Sequence, residues 1–441
     1  MGFRPKRCRI PTTAGRPASS IVAAKFLQEF TGGLPWAHLD IAGPAFHEQA
    51  PFGYTHKGGV GFGVRTLLVD ARAGRPIDQQ RAQAVLPLNP SLPRAELDRL
   101  LAFARPTHLV DADGRHTLAD GVPVDTDTAA VVCTSGTTGA PKAVELTRTG
   151  LFAMGNGVSS ALGVDDSDRW LACHPLFFVA GLAILGRSWV TGVPVTVHDH
   201  FDLERVGAAP SVDGTTIVSV VPTTLRRMVR AGALGAFRAV VVGGAPLPDS
   251  QRADAEATGV RVFDAYGLTE TWGGCITNGR PNDGIEIRLL DEHEVALRGA
   301  PVTRGYRHDP ELTAAAFTPD GFFRTGDVGA IDAEGRLRIV DRIKDLIISG
   351  GVNVGPTEVE GVLARHPQIA DVCVVGAPDE EWGERVVACV VPHDPQAPPT
   401  LDALRDWARE HLAAAKLPKE LRVVAEIPRS PAGKPLRRLL V

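Results

Sequence analysis

An α/β fold with more than one domain is the architecture this sequence predicts, and three observations predict it. Helix-like and short β-like stretches alternate from Val85 to about Asp341, the pattern of strands covered by helices. Several apolar runs stop at glycine-bearing loops, as at CTSGTTGAPK after TAAVV, GGAP after FRAVVV and YGLTET after VRVFDA. The chain has 441 residues, 44% of them hydrophobic, enough apolar material for a large core and enough length for several domains.

In chain order, MGFRPKRCR opens a frayed tail over residues 1–16, too short and too polar for a secretory signal. From Pro17 to Val69 a helix-like opening leads through Gly/Pro turns to a second apolar-periodic stretch. ARAGRPIDQQRAQ is polar and unlike either neighbour, which places a junction at residues 70–84. VLPLNPSL then reads as a short strand and a Pro-bounded turn. Next comes a helix with Leu97, Leu100 and Leu101 on its apolar face, and a further strand. DADGRHTLADGVPVDTDT reads as a polar connection into the strand TAAVV.

Charge and composition narrow the function. A formal net charge of -4 leaves no general basic surface for nucleic acid. No run of 18 or more apolar residues exists, so no membrane span is expected and the cytoplasm is the expected location. Cysteines 8, 133, 173, 275, 373 and 389 form no CxxC pair, which argues against zinc and against a disulfide framework. His38, Asp40 and His47 lack further ligands at a recognisable spacing.

The loop after TAAVV carries phosphate chemistry. Gly136 and Gly139 permit close backbone approach, Thr134, Ser135, Thr137 and Thr138 offer hydroxyls and amides, and Lys142 offers a cation. It is not the common nucleotide P-loop: the glycines are three apart, Pro141 interrupts, and no Ser or Thr follows the lysine. Alone it is equally a Ser/Thr/Gly-rich surface turn. Further along, Gly243-Gly244-Ala245-Pro246 and Tyr266-Gly267-Leu268-Thr269-Glu270-Thr271 end two more strands and are able to converge on one ligand at the sheet's edge. Tyr266 suits stacking on a purine, Thr269 a phosphate, and Glu270 a hard cation such as Mg2+. Asp327 lies in an Arg-Thr-Gly-Asp turn suited to two ribose hydroxyls, with Arg342 a donor to ribose or phosphate. Lys434 lies on the exposed Pro/Gly-bounded loop PRSPAGKPLRR.

These elements, in this order, resemble the adenylate-forming family of acyl-CoA synthetases, aryl-CoA ligases, peptide-synthetase adenylation domains and luciferases across residues 85 to 441. The resemblance implies a large α/β AMP-binding domain over 85–342, truncated at its N-terminal side, and a small mobile α/β C-terminal domain over 343–441. It further implies a phosphate loop at Thr134 to Lys142 and an adenine and Mg2+ motif at Tyr266 to Thr271. Asp327 and Arg342 become ribose and phosphate ligands, and Lys344 a hinge. Gly350 and Gly351 form a loop facing the site during thiol transfer, and Lys434 is the adenylation lysine. The implied reaction is attack of a small carboxylic acid on the α-phosphate of ATP, releasing pyrophosphate, followed by acyl transfer to coenzyme A. The nucleophile is already ionised near pH 7, so no general base is required.

In CHPLFFVAGLAILGR the family's gating histidine position is Phe178. Phe177, Phe178, Gly181, Trp272 and Gly273 are therefore expected to line an acyl pocket more apolar than usual, which argues against a strongly anionic acid. His174 is not the aligned histidine. The compact span between Glu270 and Asp327 resembles short bacterial o-succinylbenzoate-CoA ligases of menaquinone synthesis, set here beside fatty and small aryl acids. Upstream, residues 17–69, especially WAHLDIAG and GGVGFGVR, resemble the extreme C-terminal part of cytosolic leucyl aminopeptidases without any of that family's metal motifs. That segment stands where the ligase family has a substantial α/β portion. The expectations are thus an active ligase with an altered N-terminal part, or a truncated or fused remnant that only binds nucleotide. The oligomeric state is open.

Overall fold

The structure, a computed structural model, describes residues 84–89, 92–111, 114–135, 141–198, 200–429 and 435–441. The tail, the aminopeptidase-like segment, nearly all of the junction, Gly136, Thr137, Thr138 and Gly139 of the phosphate loop, and Lys434 lie outside the described residues.

The first helix, α1 (Arg94–Ala104), forms where expected. Its apolar face is not fully covered, however: Leu97, Leu100 and Leu101 are only half-buried and Ala104 alone is buried. Val85 makes a single parallel bridge to Ala130 instead of a strand. The stretch read as a polar connection contains an extended element. β1 (His108–Asp111) pairs antiparallel with β2 (Gly114–Thr117), with His108 opposite Thr117.

β3 (Thr128–Ser135) and β4 (Pro141–Thr147) form a hairpin. α2 (Arg148–Leu162) follows, started by the Thr147 hydroxyl accepting from the Gly150 amide at 2.9 Å and stopped by Gly163 in the left-handed region. Then come β5 (Trp170–Ala172), α3 (Val179–Thr191), β6 (Val195–Val197), α4 (Leu203–Asp213), β7 (Ile217–Val220), α5 (Pro222–Arg230), β8 (Ala239–Gly243), α6 (Asp249–Glu256) and β9 (Arg261–Tyr266). The short strands β10 (Ile276–Thr277) and β11 (Arg280–Pro281) complete one sheet in the order β11-β10-β9-β8-β7-β5-β6, parallel from β9 to β6.

Both faces of that sheet are covered at its centre, so β5, β7 and β8 are largely apolar, while β9 and the edge strand β11 carry Arg261, Asp264 and Arg280. Trp170, Ile217 and Val241 enter a core shared with α2 and α3, while their chain neighbours Leu171, Val218, Val240 and Val242 enter a second core with α5. Trp170 and Ile217 are fully buried, each contributing about 1.5–3 kcal/mol.

β12 (Glu286–Leu289), β13 (Glu294–Arg298), β15 (Phe323–Ile331) and β16 (Leu337–Arg342) make an antiparallel sheet. β14 (Gly305–Tyr306) instead joins β4, and α7 (Pro310–Ala315) follows it. After a 3-10 turn at Ile343–Asp345 come β17 (Ile347–Ser349), β18 (Val352–Val354), α8 (Pro356–Leu363), β19 (Ile369–Asp379), β20 (Gly383–Pro392), α9 (Leu401–Arg409) and β21 (Glu420–Val423). These strands form their own sheet around a separate core containing Val359, Leu363, Val374, Ala388, Val390 and Leu404. The two units meet where the Asp341 carboxylate accepts the Thr357 amide of α8 at 2.7 Å.

Candidate functional site

The candidate site is built from strand ends. In the β3–β4 hairpin Thr134 stands opposite Lys142 and Ser135 opposite Pro141, so the register places the end of β3 beside the lysine. The Lys142 ammonium lies over the Tyr306 ring, 5.1 Å from its centroid, because β14 pairs with β4 and sets Tyr306 opposite Val144. The Tyr306 hydroxyl donates to Glu270 Oε1 at 2.9 Å.

Glu270 sits on a 3-10 turn, Thr269–Thr271, that follows β9. The turn folds back so tightly that a Cβ on Gly267 would lie 2.5 Å from the Gly274 nitrogen, which only glycine allows. The Thr271 hydroxyl accepts from the Leu268 amide at 2.9 Å, and the Glu270 carbonyl accepts from the Thr303 amide at 2.6 Å. On the neighbouring strand β8, a Cβ on Gly243 would approach the Ala265 carbonyl to 2.9 Å, and Gly244 takes a φ of 80° at the start of the Gly-Ala-Pro turn.

Asp327 and Arg342 are register partners on β15 and β16. Arg342 Nε donates to Asp327 Oδ1 at 2.9 Å, and the Tyr266 hydroxyl donates to Oδ2 at 2.7 Å. Asp327 is buried, whereas Arg342 is partly exposed. Burial and the Asp327 charge push the Tyr266 phenol far above its ordinary range, so it remains a donor.

The residues expected around the acyl group divide. Phe177 and Phe178 are half-buried with ring centroids 4.6 Å apart, and Phe178 precedes α3. Gly181 is needed by packing, since a Cβ there would meet the Pro175 carbonyl at 2.5 Å. Gly273, at φ 76°, faces Val179. Trp272, expected to line the pocket, has its side chain buried in the core, and its indole N–H donates to the Thr147 carbonyl at 3.0 Å, so it anchors the turn. A left-handed backbone at Trp272, φ 55°, swings the ring inward. His174 is held below the ordinary histidine range by burial, against a raising backbone hydrogen bond with Ser219.

Two residues outside the expected set stand out. Tyr306 links Glu270 to Lys142, and nothing in RGYRHDPEL marks it in the sequence. Arg187 lies about two turns along α3 from Val179, 3% exposed, with its Nε lacking any hydrogen-bond partner. Its guanidinium lies over Trp170 at 5.5 Å, and Nη2 is 3.1 Å from where a Gly274 Cβ would be. Burial draws its pKa down to about 10. The signal for it was a single arginine inside the apolar run VAGLAILGRSWV.

Elsewhere, Lys344 is exposed on the turn between β16 and β17. Gly350 and Gly351 adopt φ values of 59° and 75° between β17 and β18, with Gly350 packed against the Trp382 ring. The structure thus brings together Tyr266, Asp327 and Arg342, and separately Glu270 and Lys142.

Family models match the same regions. The AMP-binding enzyme model matches residues 115–307 and the AMP-binding enzyme C-terminal domain model residues 358–434. The 2-succinylbenzoate-CoA ligase of Listeria monocytogenes serotype 4b is 32% identical over 399 residues, covering 82% of this chain and 84% of that protein. The chain belongs to the AMP-binding enzyme family. It is an ATP-dependent acyl-CoA ligase of that family. The probable 2-succinylbenzoate-CoA ligase of Mycobacterium tuberculosis H37Rv is 37% identical, covering 73% of this chain and 86% of that protein. Among solved structures, MenE from Bacillus subtilis with the acyl-adenylate OSB-AMP matches with a TM-score of 0.66 and 32% identity, covering 73% of this chain and 72% of that one. ATP-bound MatB from Rhodopseudomonas palustris matches with a TM-score of 0.73 and 26% identity, over 81% and 83% of the two chains. The model for the cytosol aminopeptidase family catalytic domain matches residues 8–68, outside the described residues. No helix among the described residues is long and apolar enough to cross a membrane.

Proposed function

We propose that this ligase activates o-succinylbenzoate as its acyl-adenylate and transfers the acyl group to coenzyme A. The observation that carries the choice of acid is Arg187. A buried guanidinium without a carboxylate partner among the described residues is expensive unless a ligand supplies the anion. A dicarboxylate does so: one carboxylate is activated while the other meets Arg187 beside Gly273 and Gly274. This outweighs the expectation from Phe178, because an apolar gate does not remove the cation behind it.

In this reading Thr134 to Lys142 receives the β and γ phosphates, Asp327 the ribose hydroxyls, Arg342 ribose or phosphate, and Tyr266 borders the adenine. The loop Gly243-Gly244-Ala245-Pro246 gives the nucleotide close access to backbone. Glu270 fits Mg2+: Oε1 is taken by Tyr306, and Oε2 has no protein partner among the described residues. When bound, Mg2+ neutralises charge on the leaving pyrophosphate. Lys434 contacts the attacking carboxylate and an α-phosphate oxygen. The unit after 343 turns about Lys344 to bring Gly350 and Gly351 to the thiol step. A cytoplasmic location fits ATP and coenzyme A as substrates.

The test is pyrophosphate release and thioester formation over a panel of o-succinylbenzoate, aryl acids and medium-chain fatty acids with ATP and Mg2+. The expected result is the highest kcat/KM for o-succinylbenzoate. A monocarboxylate preferred over it would refute the choice of acid, and no turnover of any acid would favour a nucleotide-binding remnant.

A further inference from the structure

Tyr306 belongs to none of the motifs read from the sequence, yet one side chain touches both the lysine assigned to phosphate and the carboxylate assigned to Mg2+. Its surroundings fix it. It is 8% exposed, and its amide donates to the Thr313 hydroxyl at 2.9 Å. Gly305 before it takes a φ of 147°, and a Cβ there would strike Thr313 Cγ2 at 2.4 Å. On the other side the buried Arg307 donates to Glu145 at 3.0 Å. A flexible lysine beside an unrestrained carboxylate attracts it, and their ion pair would neutralise the charges needed by phosphate and metal. No such pair forms between Lys142 and Glu270 in this structure, where the ring face holds the ammonium and the hydroxyl holds Oε1.

We infer that Tyr306 is a positioning residue that keeps Glu270 and Lys142 apart and, by holding Oε1, leaves Oε2 of Glu270 available to a cation. The inference rests on the assignment of Glu270 and Lys142 above.

The test measures Mn2+ binding to the ATP complex by the electron paramagnetic resonance signal of free Mn2+, with AMP affinity as a control that needs neither metal nor β and γ phosphates. Tyr306→Phe keeps the ring and removes the donor. Mn2+ affinity is expected to fall about tenfold with AMP affinity within about twofold, and the variant is expected to have no further effect in a Glu270→Ala background. Unchanged Mn2+ binding in Tyr306→Phe, additive losses in the double variant, or an equal loss of AMP binding would each overturn the inference. If Glu270→Ala itself left Mn2+ binding intact, the metal assignment would fail first, and that pattern is distinct from failure of Tyr306 alone.

Discussion

Replacing Arg187 by methionine separates stability from specificity. Arg187 is 3% exposed, and burial lowers its pKa from the ordinary arginine value to about 10. At 1.36 kcal/mol per pH unit, keeping it charged in the folded protein at neutral pH costs on the order of 3 kcal/mol. Methionine removes that penalty, loses a cation–π contact with Trp170 worth about 0.5–2 kcal/mol, and introduces a shape change of about 1 kcal/mol. The net is a ligand-free protein as stable as the original or more stable by about 1 kcal/mol. The sign with pH is definite: the folded pKa is depressed, so the penalty is present below about pH 10 and fades as pH rises toward the unfolded value. Loss of the buried guanidinium partner for the substrate's second carboxylate costs about 2–5 kcal/mol, which lowers kcat/KM for o-succinylbenzoate roughly 30-fold or more. Urea unfolding measures the first quantity, and pyrophosphate release with o-succinylbenzoate and with its two monocarboxylate analogues measures the second. A variant markedly less stable than the parent, with equal losses for the diacid and the monoacids, would show Arg187 to be structural.

Asp327→Ala removes charge-assisted bonds worth about 1.5–3 kcal/mol each, so ATP affinity should fall at least tenfold in a binding titration. An unchanged titration would reject the ribose assignment. Lys434→Ala should slow pyrophosphate release by about 10² or more while thiol transfer from supplied acyl-adenylate is nearly unaffected, and equal loss of both half reactions would reject the two-step role. Asp168 is buried and bridged by Arg238 at 2.6 Å. Burial acts to raise its pKa, but hydrogen bonds from Arg238, Thr216 and the Asp165 amide leave it lowered. Its folded pKa is therefore depressed, and the stability it adds is complete above the unfolded carboxylate range and lost as pH falls through the folded value. Asp168→Ala should cost about 2–3 kcal/mol at pH 7 in urea unfolding, with the gap to the parent closing below about pH 4.

The alternation of helices and short strands was legible because the central strands of the main sheet are largely apolar on both faces and β8 and β9 run into glycine-bearing loops, both local properties. The helix at Arg94–Ala104 was legible from its leucines, but their partial exposure was not, since burial depends on what packs against them. β2 escaped because its residues are polar and its pairing is set by a partner strand, not by local periodicity. Trp272 looked like a pocket residue from its position after Glu270, and only its left-handed backbone sends it into the core.

What the sequence by itself determined is the α/β class and the family, and it singled out Glu270, Asp327 and Arg342 as candidates, because these depend on short motifs and local periodicity. The tertiary structure alone decided that Asp327 and Arg342 face each other across β15 and β16, that Tyr306 reaches Glu270 across a separation of 36 positions, and that Arg187 is buried with its Nε unpaired. Those facts arise from strand register and from what each side chain meets after the sheets close, and neither is written in the spacing of residues along the chain.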